Sequence, residues 1–283
     1  MKKELKQKVM GTMAKRLLLF SLFTFHFSLL TSYAQCGIEN TAFGNGEFVS
    51  YDLYFNWKFV WWKVGTASMS TVKSNYKGQD AYRSSLTTRG NSKLDNMFVM
   101  RDTLLCYTDM NVAPLYFRKG AREGKRYYVD EIWYKYPNGN CHVKMHEITS
   151  SGEHLWKEAE YKNCLYDMMS IYLRARNFDG NNLKEGDKIP LPIADGLSVA
   201  NAWLKYGGKT TLKMKNSDDK YRCMVFSFIQ RENGKNHELI RLYITDDQNH
   251  LPVRLDMFLS FGTAKAYLTG FKGLRNPLTS KVN

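Results

Sequence analysis

Alternating apolar and polar positions dominate the chain from residue 48 onward. In the first such segment the odd positions from Val49 to Trp57 are apolar, whereas Ser50, Asp52 and Asn56 are polar. A period of two predicts a strand with one buried face. Shorter or weaker segments of this kind lie at 64–73, 81–89, 104–108, 115–118, 127–136, 141–148, 199–206, 209–215, 221–230, 238–245, 253–261 and 263–271.

Short turn signals join most of these segments directly. Asn138-Gly139 and Asn233-Gly234 suit the left-handed backbone angles of tight hairpin turns, and Gly207-Gly208 predicts a third hairpin. Hairpins in succession make a sheet antiparallel, and a sheet of ten to twelve twisted strands curls or splits into two layers. The predicted fold is mainly β: a curled antiparallel sheet, or incomplete β-barrel, with one amphipathic helix packed against it.

That helix is predicted over 164–176, where Leu165, Met168, Met169, Tyr172 and Ala175 recur at helical spacing. Asn163 is a candidate residue to cap its start. Asp167 and Arg174 lie seven residues apart on one face, and we expect both to anchor the helix to the sheet rather than to act in catalysis.

The first 34 residues have the pattern of a secretory signal peptide. Six basic residues precede the uncharged run 17–30, which as a helix spans about 21 Å and is shorter than the ~30 Å hydrocarbon core. Small residues at Ser32 and Ala34 predict cleavage after Ala34, although an uncleaved membrane anchor is the alternative. Residues 35–283 are then a single mainly-β domain. The basic segment is long, so Met10 and Met13 compete with Met1 as the start.

Composition agrees with a folded β protein, since hydrophobic residues make up 43%, charged residues 24% and aromatic residues 14%. The formal net charge is +14, of which the leader contributes +5 and the mature chain +9. This charge favours anionic partners such as lipid head groups or acidic glycans. The basic residues are scattered, so a solvated surface is the alternative. Export argues against nucleic acid as the partner of the basic stretch 118–126.

Five cysteines occur at long spacings without any Cys-x-x-Cys motif, which argues against a zinc knuckle or a redox pair. Cys36 follows the predicted cleavage site by two residues. A lipoprotein has its cysteine directly after the cut, and Tyr33 and Gln35 fit such a signal badly, so we do not expect lipidation. The sequence does not decide which cysteines pair; they are Cys36, Cys106, Cys141, Cys164 and Cys223.

No catalytic or metal-binding motif is complete. The chain lacks the Gly-x-Ser-x-Gly elbow of esterases, and His146-Glu147 is followed by Ser150 where a zincin requires histidine. His142 and His146 are about 13 Å apart on a strand, too far for one metal ion. Asp246-Asp247 is typical of a turn. We therefore predict no catalytic residue, no metal and no cofactor.

Aromatic residues crowd the first predicted turn. Trp57, Trp61 and Trp62, together with Tyr54 and the neighbouring Lys63, are the candidate ligand-binding residues. Indole rings contact acyl chains or sugar rings, and an adjacent cation suits an anionic lipid or glycan. The alternative is that the odd-numbered members fill the core and the others lie on the outer face.

Three segments resemble the periplasmic domain-of-unknown-function family numbered 3108. They are Gly46-Glu47-Phe48 with Val64-Gly65-Thr66-Ala67, then Tyr166-Asp167-Met168-Met169-Ser170 with Arg174, and then Leu251-Pro252-Val253-Arg254 with Phe261-Gly262-Thr263-Ala264. The resemblance covers about 46–273. It implies export by Gram-negative bacteria and a curled sheet akin to periplasmic lipoprotein carriers, but it implies no activity.

These observations favour a non-enzymatic periplasmic binding or carrier module for a lipid or amphiphile of the envelope, with an apolar cleft inside the sheet. The first alternative is a structural or interaction protein in envelope biogenesis, whose interior is filled by its own side chains. The second is an envelope hydrolase with an unrecognised carboxylate pair, which requires two facing acids inside a cleft.

Overall fold

The computed structural model describes residues 36–57, 60–92, 99–215, 217–260 and 262–282, and the side chains of Trp57 and Glu123 also lie outside the description. The predicted leader and the three candidate starts lie outside these ranges. Seventeen strands are present in them: β1 Glu47–Trp57, β2 Val60–Tyr76, β3 Gln79–Gly90, β4 Met100–Thr108, β5 Pro114–Glu123, β6 Arg126–Lys135, β7 Cys141–Ile148, β8 His154–Tyr161, β9 Lys188–Pro190, β10 Ile193–Asp195, β11 Ser198–Ala200, β12 Ala202–Lys213, β13 Lys220–Glu232, β14 Lys235–Thr245, β15 Pro252–Leu259, β16 Gly262–Lys272 and β17 Lys281–Val282.

Fifteen strands form one antiparallel sheet, which confirms the predicted fold class. From one edge the order is β8 through β1 in sequence, then β16 back to β12, and finally β9, while β17 pairs with β13. Strands β1 and β16 pair in the middle of the sheet, so the first and last long strands are neighbours. The sheet is not closed into a barrel, because β8 and β9 remain as edges. Strands β10 and β11 form a separate hairpin.

The helix α1, Met168–Ala175, packs against the concave face between the two halves of the sheet. Met169 and Leu173 belong to a core shared with β1–β7, whereas Ile171 and Ala175 belong to a core shared with β12–β14. All four side chains are buried. Residues four positions apart lie on the same side of a helix, so the two pairs form two apolar stripes, one against each core. The helix α1 therefore fills the space that the curl of the sheet encloses.

The structure corrects the predicted extent of the helix. Residues 164–167 are not helical, and Tyr166 forms a parallel bridge with Ile193 of β10. Asp167, rather than Asn163, caps the helix: its carboxylate accepts the N–H groups of Met169 and Ser170, and the Ser170 hydroxyl accepts the N–H of Asp167. This reciprocal capping box fixes where the helix begins.

The Gly207-Gly208 pair is not a hairpin turn. Strand β12 runs through it from Ala202 to Lys213, and its register against β13 shifts between Tyr206 and Lys209. Gly208 has φ of +82°, as an inserted bulge residue requires. The other two glycine turns are confirmed, since Asn233-Gly234 joins β13 to β14 and the chain turns at 137–140 between β6 and β7.

Strand β8 was not predicted because five of its eight side chains are polar or small, as is typical of an exposed edge strand. The structure also pairs two of the five cysteines. Cys36 and Cys164 form a disulfide that joins the segment before β1 to the segment before α1. The remaining thiols, of Cys106, Cys141 and Cys223, are free and buried.

Candidate functional site

A row of partly exposed apolar side chains crosses five strands on the concave face. Phe55 lies opposite Trp62 on β2 and Ala264 on β16, and Met257 lies opposite Ala264 and Ile240. We call Trp62, Phe55, Ala264, Met257 and Ile240 the apolar row. None of the five is fully buried, and Trp62 is 57% exposed. Deeper positions of the same strands, such as Leu53, are buried in the core.

The apolar row lies at the open end of the sheet, where the β1–β2 and β15–β16 hairpins turn. Val60 and Leu259 continue the same face toward the tips of these hairpins and are 52% and 43% exposed. The two hairpins are in contact: a Cβ on Gly262 would lie 2.8 Å from Cζ of Phe55, so a larger residue there would have to displace the Phe55 ring. Neighbouring hairpins therefore present one continuous apolar rim.

The predicted ligand-binding residues do not form a single group. Trp62 lies on the concave face, and strand alternation places Trp61 and Lys63 on the convex face. There Trp61 contacts the ammonium of Lys265, and Lys63 forms a 2.7 Å ion pair with Asp52. Tyr54 is also convex; it is buried between Tyr267 and Lys215. The side chain of Trp57 lies outside the described residues.

The interior beyond the apolar row is filled. Core side chains of the sheet and both stripes of α1 meet there. Two surface depressions of the described residues lie elsewhere and are lined mostly by serine and threonine. A ligand at the open end would lie on the apolar row rather than inside the sheet.

Two carboxylates do face each other on the concave wall, and sequence reasoning missed them. Asp130 of β6 lies between Lys119 of β5 and Glu147 of β7. Burial raises the pKa of Asp130 to about 6; Lys119 opposes this rise, and the negative charges of Asp195 and Glu147 add to it.

This acidic pair is covered by the β10–β11 hairpin. A Cβ on Gly196 would lie 3.4 Å from Oε2 of Glu147 and 3.5 Å from Oδ1 of Asp130. The backbone therefore fits directly over both acids, and Lys157 of β8 donates a hydrogen bond to the carbonyl of Leu197 in the same hairpin. A substrate has no room between the acids and the hairpin. The arrangement fastens the hairpin to the sheet.

A strip of aromatic rings and histidines on the convex face was also missed. His146 lies under Trp156, with ring centroids 3.9 Å apart, and Trp133 stacks beside them. Nδ1 of His146 lies 3.0 Å from Glu131, and Nε2 lies 3.0 Å from Nδ1 of His154. Alternation places each ring on the convex side, but only the register brings the rings together. No group of three or more His, Cys, Asp or Glu in the described ranges is arranged to hold a metal ion.

The two predicted helix anchors act on different partners. Asp167 caps α1 and accepts a hydrogen bond from the Tyr134 hydroxyl of β6, and burial raises the pKa of its carboxyl. Arg174 donates to the carbonyl of Cys36 and lies over the ring of Tyr166. A third anchor, Arg176, was missed: it is fully buried against Glu47 of β1.

An open, curled antiparallel sheet filled by one helix defines a β-barrel-like domain. The chain belongs to the family described as "Protein of unknown function (DUF3108)", whose family model matches residues 50–269. No curated protein matches the chain.

The chain is similar to several solved structures at low sequence identity. A β-barrel-like protein of domain of unknown function DUF1849 from Brucella abortus is 12% identical, with a TM-score of 0.51 over 82% of this chain and 99% of that one. A candidate exported protein with a YmcC-like fold from Bacteroides fragilis is 8% identical (TM-score 0.35, 84% and 100% covered). A candidate lipoprotein from Parabacteroides distasonis is 12% identical (TM-score 0.31, 83% and 100% covered). Among the described helices, none is long and apolar enough to span a bilayer.

Proposed function

We propose that this chain is an exported, non-catalytic binding module for an anionic amphiphile of the cell envelope. The acyl part of the amphiphile lies on the apolar row at the open end of the sheet. The observation that carries this proposal is the row itself: five adjacent apolar side chains, none fully buried, on the face that elsewhere forms the core. Contiguous exposed apolar surface of this kind is typical of an interaction site.

Basic side chains next to the row support an anionic ligand. Lys63 follows Trp62 along β2, and Arg241 follows Ile240 along β14. Both charged groups are partly exposed at the rim, although each also has an acidic neighbour, Asp52 and Glu238. Long cationic side chains can bend around such an edge and place their charge beside a head group. The predicted net charge of +9 for the mature chain acts in the same direction.

The filled interior modifies the carrier hypothesis. An enclosed acyl chain of ordinary length needs a cavity of several hundred Å³, whereas here the helix and the core side chains occupy that space. The same observation favours a second candidate function, an interaction protein of the envelope that docks a protein partner on the apolar row. A hydrolase is disfavoured because Asp130 and Glu147 are covered.

Export is supported by the leader pattern and by the Cys36–Cys164 disulfide, since such bonds persist in oxidising compartments. The same bond supports a chain without a lipid anchor at Cys36, because its sulfur atom is already bonded. The periplasm is the compartment that we propose.

The test is native mass spectrometry of the mature protein purified from the envelope without detergent, followed by titration with lysophosphatidylglycerol below its micelle concentration. In the native mass spectrum we expect added mass that organic extraction removes. In the titration we expect Trp62→Ala to bind lysophosphatidylglycerol at least fivefold more weakly than the wild type. Trp156→Ala is the matched control, because Trp156 is 53% exposed on the opposite face; it should bind as the wild type does. A bare polypeptide mass, with no difference between the two variants, would contradict the proposal and favour a protein partner.

A further inference from the structure

Exposed large apolar side chains are concentrated at the tips of two hairpins. Among the described residues six such side chains are exposed, and three of them, Val60, Trp62 and Leu259, lie at the tips of the β1–β2 and β15–β16 hairpins. Because β1 pairs with β16, these two hairpins lie side by side. The other three exposed side chains lie apart from one another, on β6, on β8 and at the far end of β16; they are Tyr127, Trp156 and Phe271.

The apolar part of each tip has the depth that a membrane surface accommodates. Trp62 lies two residues behind Val60 on β2, and Met257 lies two residues behind Leu259 on β15. Two residues of a strand cover about 7 Å. Amphipathic segments bound to a bilayer surface bury their apolar face to about 5–10 Å, and indole rings are enriched at that level because they are apolar with one polar atom.

Lysines follow directly behind the apolar row. Lys63 comes after Trp62 on β2, and Lys265 comes after Ala264 on β16. The register places these two lysines on either side of Tyr54. The described residues of the two tips contain both lysines and no acidic residue; these residues are 53–57, 60–66, 257–260 and 262–265.

Further cations surround the same place. The Lys215 ammonium lies 3.6 Å from the centroid of the Tyr54 ring. Burial, together with the charges of Arg254 and Lys215, lowers the pKa of Lys265, although Asp256 opposes this. An anionic group beside Lys265 would favour its charged form.

We propose that the two hairpin tips dock the protein on an anionic lipid bilayer. Val60, Leu259 and Trp62 enter the boundary between head groups and acyl chains. Lys63 and Lys265 lie behind them at the level of the phosphates, because long lysine side chains bend toward the surface. The order of the groups carries the proposal: a bilayer presents hydrocarbon and then negative charge, and the tips present apolar side chains and then positive charge.

This inference rests on the amphiphile-binding function proposed above, and it names the bilayer as the partner from which an amphiphile reaches the apolar row. The open end of the sheet then faces the lipid, so a molecule leaving the bilayer meets Trp62 and Phe55 first. The closed end, where α1 and β1 are joined, faces away from the membrane.

The first test measures cosedimentation of the mature, disulfide-bonded protein with vesicles that contain phosphatidylglycerol. Leu259→Thr is compared with Phe271→Thr, because the two side chains are 43% and 41% exposed and Phe271 lies away from the tips. We expect Leu259→Thr to bind about fivefold more weakly than the wild type, and Phe271→Thr to bind as the wild type does. Val60→Thr is the second variant. Threonine is favoured in strands, and equal melting temperatures show that the variants are folded.

The second test concerns the charge of the tips. Lys265→Gln is compared with Lys272→Gln, a change of the same kind near the other end of β16. We expect Lys265→Gln to bind phosphatidylglycerol vesicles about threefold to fivefold more weakly than the wild type, and Lys272→Gln to bind equally well. Binding of the wild type should fall with added salt and should be weak on vesicles of phosphatidylcholine alone.

Two results would overturn the proposal. One is vesicle binding that is absent, or equal for Leu259→Thr and Phe271→Thr. The other is self-association of the wild type that Leu259→Thr abolishes, because a second copy would then cover the tips. Leu259→Thr should still bind lysophosphatidylglycerol below its micelle concentration, whereas Trp62→Ala should not. Loss of vesicle binding with lysophosphatidylglycerol binding intact therefore contradicts membrane docking alone, and the reverse result contradicts the amphiphile site alone.

Discussion

The guanidinium of Arg176, at the C-terminal end of α1, donates hydrogen bonds to both carboxylate oxygens of Glu47 at the start of β1. Both side chains are almost completely buried, and Arg176 also donates to the carbonyl of Asn249 in the loop before β15. The pair therefore joins the helix, the first strand and a late loop at the end of the sheet that is opposite the apolar row.

We expect Arg176→Met to lower the free energy of unfolding by about 3–5 kcal/mol, because it leaves the Glu47 carboxylate buried without a counter-charge. Urea denaturation measures the loss. The double variant Glu47→Leu/Arg176→Met should recover most of the stability, since it removes both buried charges. A double variant as unstable as the single one would show that packing around Arg176, rather than its charge, is what matters.

Replacement of both Cys36 and Cys164 by alanine should cost about 2–5 kcal/mol, because the bond closes a loop of 128 residues in the unfolded chain. Thermal unfolding with and without reductant measures this. Reductant should lower the melting temperature of the wild type and leave that of the double variant unchanged. Equal sensitivity of the two proteins would mean that the bond does not form.

Asp130 predicts a pH dependence of stability. Its pKa is raised from 3.8 to about 6, so between these values the folded state holds a proton that the unfolded state releases. The stabilisation from this proton is fully present below pH 4 and is lost as the pH rises through 6. At pH 8, Asp130→Asn should therefore have a free energy of unfolding about 1–2 kcal/mol above that of the wild type, measured by urea denaturation. This difference should disappear at pH 4. A difference that is the same at both pH values would refute this account.

Asp167→Ala should lower stability by about 2–3 kcal/mol, because it removes the helix cap and leaves the Tyr134 hydroxyl without its acceptor. Asp167→Asn is the control: asparagine caps helices as well as aspartate, so its loss should be smaller. Chemical denaturation compares the two variants. If both lose the same stability, the charge of Asp167 contributes more than the cap.

The residues by which the family was recognised are mostly structural. Glu47 holds Arg176, and Asp167 and Ser170 form the capping box. Gly65 allows β2 to approach β3, since a Cβ there would lie 2.3 Å from the carbonyl oxygen of Arg89. These motifs identify the fold because their side chains hold it together. Their contacts are with other parts of the chain, so the motifs do not indicate a ligand.

Local chemistry was enough for the sequence to determine the long strands other than β8, two hairpin turns and the position of the helix, although not where the helix begins. Alternation reports which face of a strand is buried, and Asn233-Gly234 takes up its left-handed angles wherever the chain places it. The same reasoning wrongly predicted a turn at Gly207-Gly208. A bulge and a turn both require a residue with positive φ; they differ in whether the following residues continue along the same strand, which the local sequence does not show.

Only the tertiary structure decided which distant residues meet. Arg176 and Glu47 are 129 positions apart, Cys36 and Cys164 are 128 apart, and no local pattern selects either pair. The apolar row depends in addition on the register of several strands, since a slip of one residue would turn every side chain to the other face. Register is set by the whole sheet and its core, so the apolar row became visible only once the strands were aligned.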